Sequence, residues 1–101
     1  MDILLTITED QFVKLTSLGF YLNEHETIHN ALSWMRDEKK LDTVIQPYFP
    51  GYPEDKKIKY NLTVLELDPD SEFSEDLGDY SSYYKAESKA LEYMIKHLLN
   101  S

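Results

Sequence analysis

The sequence predicts a small α+β domain of two layers, in which an antiparallel sheet of about three strands packs against two to three helices. Three observations favour this class: a short chain of 101 residues, short segments with alternating apolar residues, and longer segments with apolar residues at helical spacing. The hydrophobic content of 42% is sufficient for a packed core. Since single domains typically span about 50 to 250 residues, we expect one domain over residues 1–101, with the element order β-α-α-β-β-α.

A strand and a helix are predicted first. Apolar residues alternate over residues 3–7, which indicates a short strand. Thr8 is followed three positions later by Gln11, a capping-box pattern that predicts the start of a helix. This helix is expected to end near Gly19, because glycine readily adopts the left-handed backbone that terminates a helix.

A second helix is predicted from Asn23 to about Lys40. Asn23 followed by Glu26 has the form of an N-cap, and Lys39 and Lys40 suit the negative end of the helix dipole. One face of this helix is apolar and is expected to join the core. It consists of Ile28, Ala31, Leu32 and Met35.

Two further strands are predicted in the middle of the chain. Residues 41–49 are expected to contain a strand that Pro47 confines to a sheet edge or a bend, since proline lacks the backbone donor. Residues 58–64 alternate between apolar and polar side chains and predict the clearest strand. The alternation slips at Val64-Leu65, which a β-bulge would explain.

The chain is predicted to end in a long helix from about Ser82 to Leu99, because apolar residues recur there at helical spacing. The preceding residues 68–80 are predicted to form an acidic loop. Glu87 projects from the apolar face of the helix, where a carboxylate needs a partner, a pocket or a subunit contact.

Most of the charge imbalance is local. The chain has a formal net charge of −9, and residues 61–80 contain seven acids and no base. These acids are Glu66, Asp68, Asp70, Glu72, Glu75, Asp76 and Asp79. A surface of this sign repels phosphate backbones, so direct binding of nucleic acid is disfavoured.

The main functional prediction is based on the acidic segment: we expect the protein to be a non-enzymatic module that binds a basic protein. The carboxylates of this segment, with Phe73, Leu77 and Tyr80 between them, would imitate the charge of a nucleic-acid strand, and association with a basic partner would be fast and sensitive to salt. In size and charge the chain resembles small acidic proteins of phages and other mobile elements, such as anti-restriction and anti-CRISPR inhibitors. The predicted partner is therefore a nuclease or another nucleic-acid-binding protein, unless the segment is merely a solvated loop. The predicted partner-binding residues are Glu66, Asp68, Asp70, Glu72, Phe73, Glu75, Asp76, Asp79 and Tyr80.

One motif suggests a different function. Residues 25–29 match the pattern H-E-x-x-H, in which two histidines one helical turn apart can share a zinc ion. The motif resembles that of the zincins, a class of zinc metallopeptidases. This resemblance implies His25 and His29 as zinc ligands and Glu26 as the catalytic base. A third ligand would come from a later helix, and Glu87 is the candidate.

Other observations keep the zinc hypothesis an alternative. The metzincin continuation requires glycine and histidine where this chain has Leu32 and Met35. The two histidines also lie at the edge of an apolar stripe, where half-buried histidines are common. The main prediction therefore includes no catalytic residue and no cofactor. A third hypothesis is a structural subunit of a larger assembly, with the proline-rich loop 47–55 and exposed tyrosines as its interface.

Composition also limits the environment of the protein. The chain has no cysteine, which excludes a disulfide framework, a thiolate zinc finger and a cysteine nucleophile. It has no apolar run of about 18 residues that could span a membrane, and its first residues lack the basic region of a signal peptide. We therefore expect a cytoplasmic protein without membrane contact, for which a homodimer is compatible with the sequence.

Overall fold

A computed structural model of the chain describes residues 6–20 and 26–100. The three strands form one antiparallel sheet in the order β1-β2-β3, so each strand pairs with its neighbour in sequence. The α+β class is confirmed, but the order of elements is α-α-β-β-β-α. The elements are α1 (Glu9–Ser17), α2 (Ile28–Glu38), β1 (Leu41–Tyr48), β2 (Lys59–Glu66), β3 (Ser74–Tyr80) and α3 (Tyr83–Leu99).

The strand predicted over residues 3–7 lies mostly outside the described residues. Of its described part, Thr6 forms an isolated antiparallel bridge with Thr27, and the Ile7 N–H donates to the Glu26 carbonyl at 2.9 Å. Ile7 is buried in the core. Thr6 and Ile7 thus pair with the residues before α2 and do not belong to the three-stranded sheet.

The predicted limits of α1 are confirmed. The Thr8 hydroxyl accepts a hydrogen bond from the Gln11 N–H at 3.1 Å, and the Gln11 side chain accepts one from the Thr8 N–H at 2.9 Å. These bonds satisfy two donors that a helix start otherwise leaves unpaired. Gly19 follows the helix with a φ of 102°, which favours glycine.

The predicted start of α2 at Asn23 is wrong. The helix begins at Ile28, and Thr27 is its N-cap, with a hydroxyl that accepts from the Asn30 N–H at 3.1 Å. Thr27 has an extended backbone, with φ −76° and ψ 152°. The helix therefore cannot continue through Thr27 toward Glu26.

The prediction of a loop over residues 68–80 is also wrong, because its second half forms β3. The bulge predicted at Val64-Leu65 is wrong too, because β2 pairs there without interruption; the pairing of β2 with β3 shifts between Leu62 and Thr63 instead. Leu77 is the extra residue on β3, and its side chain packs against the core. Gly78 follows with a φ of 89°.

The core lies between the sheet and the helices. α3 packs across all three strands and α2 packs against β1. On β2 the side chains of Leu62 and Val64 are fully buried, whereas those of Asn61 and Thr63 are only half-buried on the opposite side. No helix in the described part of the chain is long and apolar enough to cross a membrane.

The opposite side of the sheet has no layer of described helices over it, and we call it the open face. Strand alternation and the pairing register place its residues. They are Asp42, Val44, Gln46 and Tyr48 on β1, Lys59, Asn61, Thr63 and Leu65 on β2, and Ser74, Asp76 and Asp79 on β3.

Candidate functional site

The predicted partner-binding residues lie along one hairpin formed by β2, β3 and the segment between them. Six of its seven acids are exposed, and Glu66 at the end of β2 is half-buried. Within residues 6–20 and 26–100, none of the seven carboxylates forms an ion pair with a lysine, arginine or histidine. The hairpin thus presents negative charge that the described part of the protein does not neutralise by direct contact.

Local hydrogen bonds shape the tip of this hairpin. The Asp68 carboxylate accepts from the Asp70 N–H at 2.9 Å, and the Asp68 carbonyl accepts from the Ser71 N–H at 3.0 Å. The Leu67 N–H donates to the Lys40 carbonyl at 2.8 Å, just before β1. The tip is therefore a defined turn, anchored to the residue before β1, and Asp70 and Glu72 on it are exposed.

A hydrogen-bonded cluster joins the three strands on the open face. The Tyr48 hydroxyl donates to the Asp79 carboxylate, and the Asn61 side-chain amide lies 3.2 Å from one carboxylate oxygen of Asp76 and of Asp79. The bond from Tyr48, followed by that from Asn61, lowers the pKa of Asp79 below its ordinary value. The same bond to Asp79 raises the pKa of Tyr48. A shallow depression lined by Gln46, Tyr48 and Asn61 lies beside the cluster.

The two aromatic residues of the predicted set contribute to the core. Phe73 and Tyr80 are half-buried and pack against it. The Phe73 ring lies 4.7 Å from the His97 ring between centroids, and the Tyr80 hydroxyl donates to the Leu77 carbonyl at 3.0 Å. The first contact joins the residue before β3 to α3 and the second lies within β3, so both rings are less accessible than the exposed carboxylates of the hairpin.

The residues of the H-E-x-x-H motif do not share one helix in the described structure. His25 lies outside the described residues, and Glu26 precedes the Thr27 cap. The Glu26 carboxylate accepts hydrogen bonds from the Thr27 N–H at 3.2 Å and from the Asn30 side-chain amide. The carboxylate that the zinc hypothesis makes the catalytic base therefore takes part in hydrogen bonds at the start of α2.

The structure does bring together two of the residues that the zinc hypothesis requires. His29 Nδ1 lies 3.3 Å from Glu87 Oε2, across the interface between α2 and α3. Glu87 is buried, with 6% of its surface exposed. The described residues contain no group of three or more side chains placed to hold a metal ion. The partner that Glu87 was expected to need is thus His29.

The contribution of Tyr48 and Asn61 to the acidic surface is not predicted by the charge pattern of the sequence. Asn61 is one of the polar residues that alternate with apolar ones over residues 58–64, and this alternation is the signal that could have found it. Its neighbours follow only from the pairing register, which places Gln46 and Asp79 on either side of it. A count of charges in the sequence could not predict the hydrogen bonds of Tyr48 and Asn61.

Comparisons with protein-family models, with curated proteins and with solved structures found no match for this chain. Fold and surface together define a small α+β protein with an acidic hairpin and a sheet face that the described helices leave uncovered.

Proposed function

We propose that the protein is a non-enzymatic module that binds a basic protein through the hairpin of β2 and β3. The observation that carries this proposal is the set of seven carboxylates that form no ion pair within the described residues. Together with the net charge of −9, they produce a negative potential that attracts cationic surfaces. Strand pairing and the turn at Asp68 order the backbone that carries these carboxylates.

The partner class follows from the same charge. Proteins that bind nucleic acid carry lysine and arginine side chains that neutralise phosphates. A row of carboxylates is negatively charged, as phosphates are. The module would therefore compete with nucleic acid for the partner's binding surface. We therefore propose a nuclease or another nucleic-acid-binding protein as the partner, with inhibition as the outcome.

A competing explanation for these acids is that they protect an edge strand of the sheet. β3 lies at one edge of the sheet, where charged side chains prevent pairing with the edges of other molecules. On that explanation the carboxylates maintain solubility and recognise no partner. The two explanations differ in what neutralising the acids would do to binding.

A competition experiment separates them. Purified nucleases and other basic DNA-binding proteins are each mixed with labelled DNA, and displacement of the DNA is measured as the protein is added. The test variant combines Asp68→Asn, Asp70→Asn and Glu72→Gln. Each amide retains the size of the original side chain, and the change at Asp68 keeps a side-chain oxygen that can accept from the backbone N–H two residues later.

The control variant combines Glu38→Gln, Glu54→Gln and Glu92→Gln, three exposed acids outside the hairpin. Both variants lose three negative charges, so they differ only in position. We expect the hairpin variant to displace DNA on the order of tenfold or more less effectively than the control, because it loses charges at the contact. Equal displacement by both variants, or no displacement from any protein tested, would contradict the proposal.

The contact of His29 with Glu87 is the one observation that supports the zinc-hydrolase alternative. The third hypothesis, a structural subunit, has partial support in the exposed Phe49 and Tyr52 of the loop after β1. Neither observation accounts for the concentration of negative charge in the hairpin.

A further inference from the structure

The open face carries apolar side chains at positions where a sheet face in contact with water commonly carries polar ones. Val44 on β1 is 49% exposed, and Leu65 on β2 is half-buried with no described helix over it. Thr63 is paired with Val44 and adds its methyl group to the same area. Val44 on β1 lies beside Thr63, and Leu65 follows on the same face of β2; we call these three residues the apolar strip.

Carboxylates flank the apolar strip on both sides. Asp42 lies on β1, and Asp76 and Asp79 lie on β3, which are the two outer strands. Outer strands of a three-stranded sheet are two strand spacings apart, or about 9.5 Å. An α-helix with its side chains is about 10–12 Å wide. The separation of the two outer strands is therefore close to the width of one helix.

We propose that the open face binds an amphipathic α-helix of the partner protein. Its apolar residues would cover Val44 and Leu65, and its lysine and arginine side chains would flank them. This inference rests on the proposed function, because it names the part of the basic partner that the acidic surface contacts. The resulting arrangement has helices on both sides of the sheet, which is a common architecture.

Charge complementarity favours a basic helix as the ligand of the open face. Lys59, at one end, is the only basic residue that the described strands place on this face. Cations on a bound helix would therefore meet Asp42 on one side and the two acids of β3 on the other. A second copy of the chain fits poorly, since two open faces would bring like charges together.

Two synthetic peptides of leucine and lysine test the inference, each about 18 residues long so that helix formation on a surface is feasible. One has its leucines at helical spacing, and the other has the same composition with the leucines dispersed. Affinity is measured by isothermal titration calorimetry, and the contact is mapped by amide chemical shifts. We expect the patterned peptide to bind on the order of tenfold more tightly, with shifts concentrated in β1 and β2.

Matched valine variants show where the peptide binds. Val44→Lys places a cation on the open face, and Val13→Lys makes the same change on α1, where valine is 62% exposed. Both variants have the same net charge and alter exposed positions, so both are expected to fold. Val44→Lys should weaken binding of the patterned peptide on the order of tenfold relative to Val13→Lys, because it adds like-charge repulsion at the contact.

Equal binding of the two peptides, or equal effects of the two lysine variants, would overturn the inference. The DNA-competition experiment shows separately whether the proposed function also fails. If the hairpin variant loses competition while the lysine variants behave alike, the hairpin binds the partner and the open face does not. If the hairpin variant also competes normally, both proposals are wrong.

Discussion

His29 of α2 and Glu87 of α3 meet across the interface between the two helices, with 3.3 Å between Nδ1 and Oε2. The Glu87 side chain is 9% exposed and the His29 side chain 66%. Within the described residues, the imidazole is the side chain that forms a hydrogen bond with this carboxylate. A buried carboxylate without a partner would cost free energy. The pair therefore explains how an acid is tolerated on the apolar face of α3.

The variant His29→Ala should lower the free energy of unfolding by about 1–2 kcal/mol, because the buried carboxylate of Glu87 loses its hydrogen-bond partner. We place the effect in this lower range since water can reach the vacated imidazole site. Urea unfolding followed by circular dichroism measures the change, provided that the m-value is unaltered.

A double-mutant cycle provides the control. In a Glu87→Leu background, the same His29→Ala change should cost little, because no buried carboxylate is left unpaired. An unfolding free energy of His29→Ala equal to that of the unaltered protein would mean that the pair contributes nothing to stability.

The variant Tyr48→Phe should raise the pKa of Asp79 toward the ordinary value of 3.8, because it removes the hydroxyl that stabilises the charged carboxylate. A lowered pKa in the folded state stabilises folding above the unfolded-state pKa, and this contribution disappears as pH falls through the folded-state value. The contribution is thus lost only at the acidic end of the pH range. Carboxyl carbon shifts followed by NMR during an acid titration report the change.

Tyr52→Phe is the matched control. Tyr52 is 67% exposed in the loop between β1 and β2 and makes no described hydrogen bond to Asp79. Removing its hydroxyl should leave the titration of Asp79 as it was. A similar response of Asp79 in both variants would show that the bond from Tyr48 does not form in solution.

The limits of α1 were predictable because their signals are local, as at Thr8 and Gly19. The start of α2 was not, since Asn23 and Thr27 are both residue types that cap helices well. The structure selects Thr27, which also pairs with Thr6 in an isolated bridge. A contact between residues that far apart in the chain leaves no signal in a local pattern.

Strand β3 was missed for a different physical reason. Its sequence includes aspartates and Gly78, which are disfavoured in strands, and the extra residue Leu77 interrupts the alternation that would reveal a strand. Pairing with β2 makes this segment a strand. The charge of the candidate site could be counted from the sequence. The hydrogen bond between Tyr48 and Asp79 could be predicted only from the register of all three strands.

The variant Gly78→Ala should destabilise the protein by about 1–2 kcal/mol, because a φ of 89° is unfavourable for a residue with a β-carbon. Space is not the cause, since an added Cβ would meet nothing within 4 Å. Urea unfolding measures the cost. Gly78→Asn should cost less, because asparagine tolerates positive φ better than alanine does. Equal costs for the two variants would point to a cause other than backbone conformation.

Zinc content is the remaining prediction, and we expect no stoichiometric zinc. Because α2 begins at Ile28, the described structure does not place the motif on one helix, and His29 with Glu87 supplies two ligands where zinc sites in proteins use at least three. Metal analysis of untagged protein, purified without chelator and then exposed to zinc, measures the content. His29→Ala is compared with His97→Ala, which removes a histidine from the last turn of α3. About one zinc per chain, lost in His29→Ala and retained in His97→Ala, would contradict the prediction and favour the hydrolase.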